Sequence, residues 1–149
     1  APCVLVVVPS LEDCAIRKLC YFSPQDLSNC LWAAAVLKGV APNVSTNLPS
    51  AIAKCIPGQA RHFNHQDLSN SLWAFARLKA QTSMAVPAIV ACMEDKMSGM
   101  TSEQLSKCWW ATAVLQDSSP DVLSLVAALS RCTQEKVNQM MPQELSICL

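Results

Sequence analysis

Apolar and polar residues along this chain recur in long blocks. The string Gln25-Asp26-Leu27-Ser28-Asn29-Cys30-Leu31-Trp32-Ala33 returns as Gln66-Asp67-Leu68-Ser69-Asn70-Ser71-Leu72-Trp73-Ala74. It returns again as Glu103-Gln104-Leu105-Ser106-Lys107-Cys108-Trp109-Trp110-Ala111, and a fourth copy begins at Gln143. The anchoring leucines Leu27, Leu68, Leu105 and Leu145 stand 41, 37 and 40 residues apart, a period that belongs to stacked supersecondary units. Each block opens with helix-start chemistry: Ser23, Asn64 and Thr101 are placed to cap orphan amides, with Asp26, Asp67 and Gln104 three residues on. Phe22, Phe63 and Met100 sit just before the caps, five residues ahead of the leucines, where a hydrophobic staple would close. The Ala- and Leu-rich body that follows is apolar nearly all round, which predicts a first helix buried between neighbours.

A second helix follows in each unit after a loop of variable length. Pro49, Pro87 and Pro120 fall in its first turn, where a missing N–H costs little. Val86, Ile89, Val90, Met93 and Met97 then mark one helix face, as do Val122, Leu125, Val126 and Leu129 in the next unit. Pro9 to Leu19 reads as the second helix of a partial unit, while Val4 to Val8 is β-branched enough to be extended instead. The expectation is therefore all-α: a right-handed α-solenoid of antiparallel helix pairs, about four degenerate repeats of about 38–41 residues. One domain spans 1–149, with a partial unit at 1–22, units at 23–62, 63–99 and 100–140, and the start of another at 141–149.

Composition adds two constraints. With 52% hydrophobic and 15% charged residues the chain is not disordered, and it carries more apolar surface than one small core uses, which points to a partner. Eleven basic residues balance eleven acidic ones, so no long-range field draws the chain as a whole toward phosphate or an anionic membrane. Val4 to Val8 is far too short to span a bilayer, which takes about 20 apolar residues. The chain has no initiator Met and stops inside a motif, so it is expected to be a piece of a longer protein whose targeting segment lies elsewhere.

Of the nine cysteines, seven fall in two columns. Cys14, Cys55, Cys92 and Cys132 stand thirteen residues before the anchors, and Cys30, Ser71, Cys108 and Cys148 three after. Cysteine alternating with serine at one helical position describes a small close-packing slot in a reducing compartment. No Cys-x-x-Cys pair starts a zinc site, and neither a metal nor a cofactor is expected. His62 and His65 read as solvated loop residues.

Candidate binding positions come from the same register. Lys18, Gln59, Lys96 and Lys136 stand nine before the anchors, and Lys38, Lys79 and Gln116 eleven after. In a stack such columns line up along one surface and would track the phosphates of a single strand. The preferred reading is that they complement helix dipoles, because Asp95 and Glu135 weaken the field beside them. Asn29, Asn70 and Lys107, two after the anchors, either read a base or face water. Trp32, Trp73 and Trp110, five after the anchors, are expected in the inter-unit core. Trp109 takes the Leu31 and Leu72 slot.

The string Asp-Leu-Ser-Asn-x-Leu-Trp-Ala, with its Ala-rich body ending near Leu-Lys, resembles the octotricopeptide repeat family and the related helical arrays found with RAP domains. The resemblance covers nearly the whole chain. It implies paired helices in a superhelix, residence in plastids or mitochondria, and binding to organellar transcripts for their maturation, stability or translation. The third unit departs from the pattern at Lys107 and Trp109.

Two functions compete. Neutral charge and high apolar content favour a docking or scaffold subunit of a large plastid or mitochondrial assembly, such as a ribosome or photosynthetic complex, with other protein subunits as partners. The alternative is single-stranded RNA binding, which the resemblance implies. No Gly-rich phosphate loop, acid–base pair or nucleophile triad can be read from the chain, so an enzyme is not expected.

Overall fold

The computed structural model describes residues 2–41, 47–79 and 84–149, with side chains from residue 6 onward. The connections expected as loops at 42–46 and 80–83 lie outside the described residues. Among those described, eight α-helices and five short 3-10 turns make up the fold and no strand is present. The helices are α1 (Pro2–Lys18), α2 (Pro24–Val40), α3 (Leu48–Gln59), α4 (His65–Leu78), α5 (Ala85–Met93), α6 (Ser102–Leu115), α7 (Leu125–Lys136) and α8 (Pro142–Cys148).

The starts of α2, α4 and α6 follow from local chemistry. Ser23 Oγ, Asn64 Oδ1 and Thr101 Oγ1 accept from the amides of Asp26, Asp67 and Gln104, and those side chains accept in return from the cap amides. Each pair satisfies two amides that the helix itself leaves unpaired. The cap of α2 holds the Asp26 carboxyl below the usual carboxylate range, through the Ser23 hydroxyl first and the Ser23 amide second. Phe63 and Met100 are buried with Leu68 and Leu105 in one apolar cluster, and half-buried Phe22 packs on it beside Leu27.

Of the two readings of Val4 to Val8 the helical one holds and the extended alternative does not: α1 is one helix from Pro2 through Lys18 with Pro9 inside it. Lateral packing on α3 outweighs the weak helix preference of β-branched residues, a common override of local propensity. The proline positions also divide. Pro49 lies in the first turn of α3 and Pro87 is the third residue of α5, whereas Pro120 opens a 3-10 turn, Pro120–Ser124, and α7 begins only at Leu125.

Even-numbered helices pack side by side in the order α2, α4, α6, α8, and α1, α3 and α5 pack in a second row. Each first helix contacts the second helix after it, α2 with α3, α4 with α5 and α6 with α7. The core lies between the rows: Leu27, Leu31, Leu68, Leu72 and Leu105 meet Ile52, Ile56, Ile89, Met93, Leu125 and Leu129, all fully buried. The accessible surface is 8442 Å², against roughly 7,400 Å² for a compact globule of this mass. No helix among the described residues is long and apolar enough to cross a membrane.

Candidate nucleic-acid interface

The solvent side of the even row is built from one narrow stripe per helix. In α4, nine of fourteen residues are buried, and what reaches solvent is mainly Gln66, Trp73 and Arg77, with the edge of Asn70. These are spaced three or four apart, one helical face. The matching stripes are Gln25, Asn29, Trp32 and Val36 on α2, and Glu103, Lys107, Trp110 and Val114 on α6. Contacts between neighbours show that equal positions stand side by side. The Trp73 and Trp110 rings lie 6.2 Å apart, tilted by 41°, and Lys107 Nζ donates to Asn70 Oδ1 at 3.3 Å.

The tryptophans therefore stand at matching helix positions, each with part of its ring toward solvent. Trp32 is 45% exposed, and Trp73 and Trp110 are half-buried with one side packed on the core. The core expectation is corrected for Trp32, which one helical step of about 100° past buried Leu31 turns toward solvent; Trp73 and Trp110 keep part of it, packing on the core and against each other between α4 and α6. Trp109 does occupy the leucine slot, and its indole N–H donates to Thr133 Oγ1 at 2.8 Å, tying α6 to α7.

Beyond the tryptophans the row becomes cationic. The Arg77 guanidinium sits 5.4 Å from the Trp73 ring centroid and its Nε donates to Ala35 O of the neighbouring helix at 3.2 Å. Gly39 makes room for it, since a Cβ there would collide with the guanidinium. Lys38, Gly39, Ala76, Arg77, Lys79, Trp110 and Val114 line a groove of about 450 Å³ with no carboxylate among them. Lys79 caps α4 in the left-handed region, φ 49°, which ends the helix there.

The other predicted positions divide. Asn29 is exposed, Asn70 is buried, and Lys107 pairs with Glu103 at 2.8 Å as well as with Asn70. Lys96 and Lys136 do not join this face. Lys96 Nζ donates to Arg61 O and Phe63 O at 2.9 and 2.6 Å, and Lys136 Nζ to Ser98 O at 3.0 Å and to Met100 O. Each ammonium is thus held by the 3-10 turn that ends the preceding pair. Gln59 is half-buried in the same register and no hydrogen bond to the corresponding Cys20 and Phe22 carbonyls is described; Lys18 is exposed. Sequence reasoning missed Arg77 altogether, because the other units carry valine there. The arginine nine residues past Leu68, facing Gly39, was the available signal.

The cysteine columns sit at inter-helix positions: Cys108 and Cys132 are buried and Cys14, Cys30, Cys55, Cys92 and Cys148 half-buried, all as free thiols. Burial pushes the Cys108 thiol up to about 12, with nearby Lys107 offsetting part of the rise. Burial, with Asp26 second, also raises Cys30, and burial with Glu144 raises Cys148. No cluster of three metal-ligating side chains occurs among the described residues. His62 is exposed and accepts from Arg61 Nε at 3.0 Å. His65 is the first residue of α4, half-buried against Gly99, so the loop expectation is corrected for it.

Residues 5–149 match the family model described as Tbc2 translation factor, N-terminal domain. The chain belongs to that family. No curated protein matches it, and no solved structure does. At the level the comparison reaches, the family is one named for a translation factor, and the finer octotricopeptide resemblance rests on the repeated strings alone.

Proposed function

We propose that this chain is a non-catalytic stretch of a right-handed α-solenoid that binds single-stranded RNA in translation within a plastid or mitochondrion. The carrying observation is the row of Trp32, Trp73 and Trp110 beside the groove lined by Lys38, Arg77 and Lys79. Aromatic faces in series stack bases without regard to sequence, and cations alongside them hold the phosphates. Arg77 over Trp73 adds a planar cation suited to both tasks. Family membership supports the link to translation. Neutral net charge, which favoured a docking subunit, sums over the whole chain, whereas a strand meets only this face.

The test is fluorescence anisotropy of labelled single-stranded organellar RNA against the purified chain, over a range of salt. Binding should weaken as salt rises, and Lys38→Glu with Lys79→Glu should flatten that dependence, its slope falling by about 0.7 for each phosphate no longer neutralised. Trp32→Ala should cost about 1–3 kcal/mol of affinity, with no change in helix content because the ring is already half in solvent. Affinity indifferent to salt and to Trp32 would sink the RNA reading and return the chain to protein docking.

A further inference from the structure

Arg77 stands on α4, which packs against α2 on one side and α6 on the other. Three contacts hold its guanidinium in the joint with α2. Nε donates to Ala35 O at 3.2 Å, and Cζ lies 5.4 Å from the Trp73 ring centroid. Gly39 leaves the space that Nη2 fills, where a Cβ would collide with it. An exposed arginine ordinarily loses side-chain freedom when it takes a ligand. Here the fork is set in place by the protein itself before any ligand arrives. Val36 and Val114 hold the same register on α2 and α6, so neither neighbour repeats the arrangement.

The groove beside Arg77 is not uniform along its length. Ala76, Lys79 and Val114 also line a second cavity, and Asp117 is part of that lining. A carboxylate on that side weakens the field around Lys79. Lys38, Gly39 and Arg77 line the groove without lining that cavity. An anion is therefore held best at the α2 end, between Lys38 and Arg77.

We infer that Arg77 is a phosphate clamp, set by Gly39 and Trp73, which seats one phosphodiester of a bound single strand between α2 and α4; the assignment rests on RNA being the ligand. A guanidinium offers a planar fork of donors that matches two phosphate oxygens at once, which a lysine ammonium does not. Gly39 acts through Arg77 and is a positioning residue. Because α2 and α6 carry valine in this register, the clamp marks one joint of the stack as the place where the strand is gripped, with the flanking positions following it.

Fluorescence anisotropy with labelled single-stranded organellar RNA separates position from charge. Gly39→Ala keeps every charge and, since alanine favours a helix over glycine, should keep the helix content. RNA affinity should nevertheless fall about tenfold as the fork is displaced. Arg77→Lys keeps the charge and loses the fork. It should cost a similar factor in the wild-type chain but no more than about twofold in Gly39→Ala, because both changes remove one and the same contact. Arg77→Met should weaken binding at least as far and lower the salt slope by about 0.7. In the RNA-free chain, tryptophan fluorescence should change in Gly39→Ala and in Arg77→Met as the cation leaves the Trp73 face. Independent, additive losses from Gly39→Ala and Arg77→Lys would overturn the clamp, as would wild-type affinity in Arg77→Met. In either case, salt-dependent binding that responds to Lys38→Glu with Lys79→Glu would leave RNA as the ligand. No binding by the wild-type chain would overturn both.

Discussion

Single side chains already divide this molecule into a packed interior and a solvent face. Ser71 is fully buried and its hydroxyl has no described partner, while the other units place Cys30 and Cys108 in that slot. A thiol loses far less on leaving water than an unpaired hydroxyl does. Ser71→Cys is therefore expected to stabilise the fold by about 1 kcal/mol, read as a higher midpoint in urea at unchanged slope. Cys108 sets a pH limit. Its thiol is raised from an ordinary 9.0 to about 12 by burial, so the fold favours the protonated form. The stability this represents is complete below pH 9 and falls away as pH climbs toward 12. Cys108→Ala should reduce the fall in urea midpoint between about pH 8 and about pH 10.5. Equal falls in both proteins would assign the alkaline loss to other groups.

Among helices, the caps were open to reading from sequence because cap and responder lie three residues apart and need nothing else from the fold. Asn64→Ala should cost about 1 kcal/mol, seen in thermal melts. The tryptophan exposure was not open to the same reading. Whether a side chain one position past a buried leucine faces solvent depends on how many neighbours its helix has, and α2 and α4 differ in that respect. Nor were the targets of Lys96 and Lys136, whose acceptors are main-chain carbonyls 33 to 38 residues away. Side-chain identities say nothing about where a carbonyl points. Gln59 tests the lysine rule: Gln59→Lys should create the missing bonds to the Cys20 and Phe22 carbonyls and stabilise the fold by about 1 kcal/mol. No gain in thermal stability would mean that those two carbonyls are not within reach.

At the scale of the whole molecule, the all-helical class followed from repeat spacing, and the helix pairs follow the blocks that the anchoring leucines mark. The proposed binding face did not follow, because the repeat register supplies columns but not which side of a helix its neighbours cover. Three columns thus met three fates. Trp32 faces solvent while Trp73 and Trp110 meet half-buried between α4 and α6, Lys38 and Lys79 joined a groove with Arg77, and Lys96 and Lys136 were drawn into the joints between pairs. Replacing Lys96 by methionine should accordingly lower thermal stability while leaving RNA affinity within about twofold, the reverse of the outcome expected for Trp32→Ala.

The lysine joints carry one more consequence. Each ties a helix pair only to the pair made just before it, and the long-range hydrogen bonds described span no more than 42 residues. A chain so connected has no need to wait for its far end: during synthesis every pair can settle against its predecessor as it emerges from the ribosome, and the lysine arrives last to latch the joint already formed.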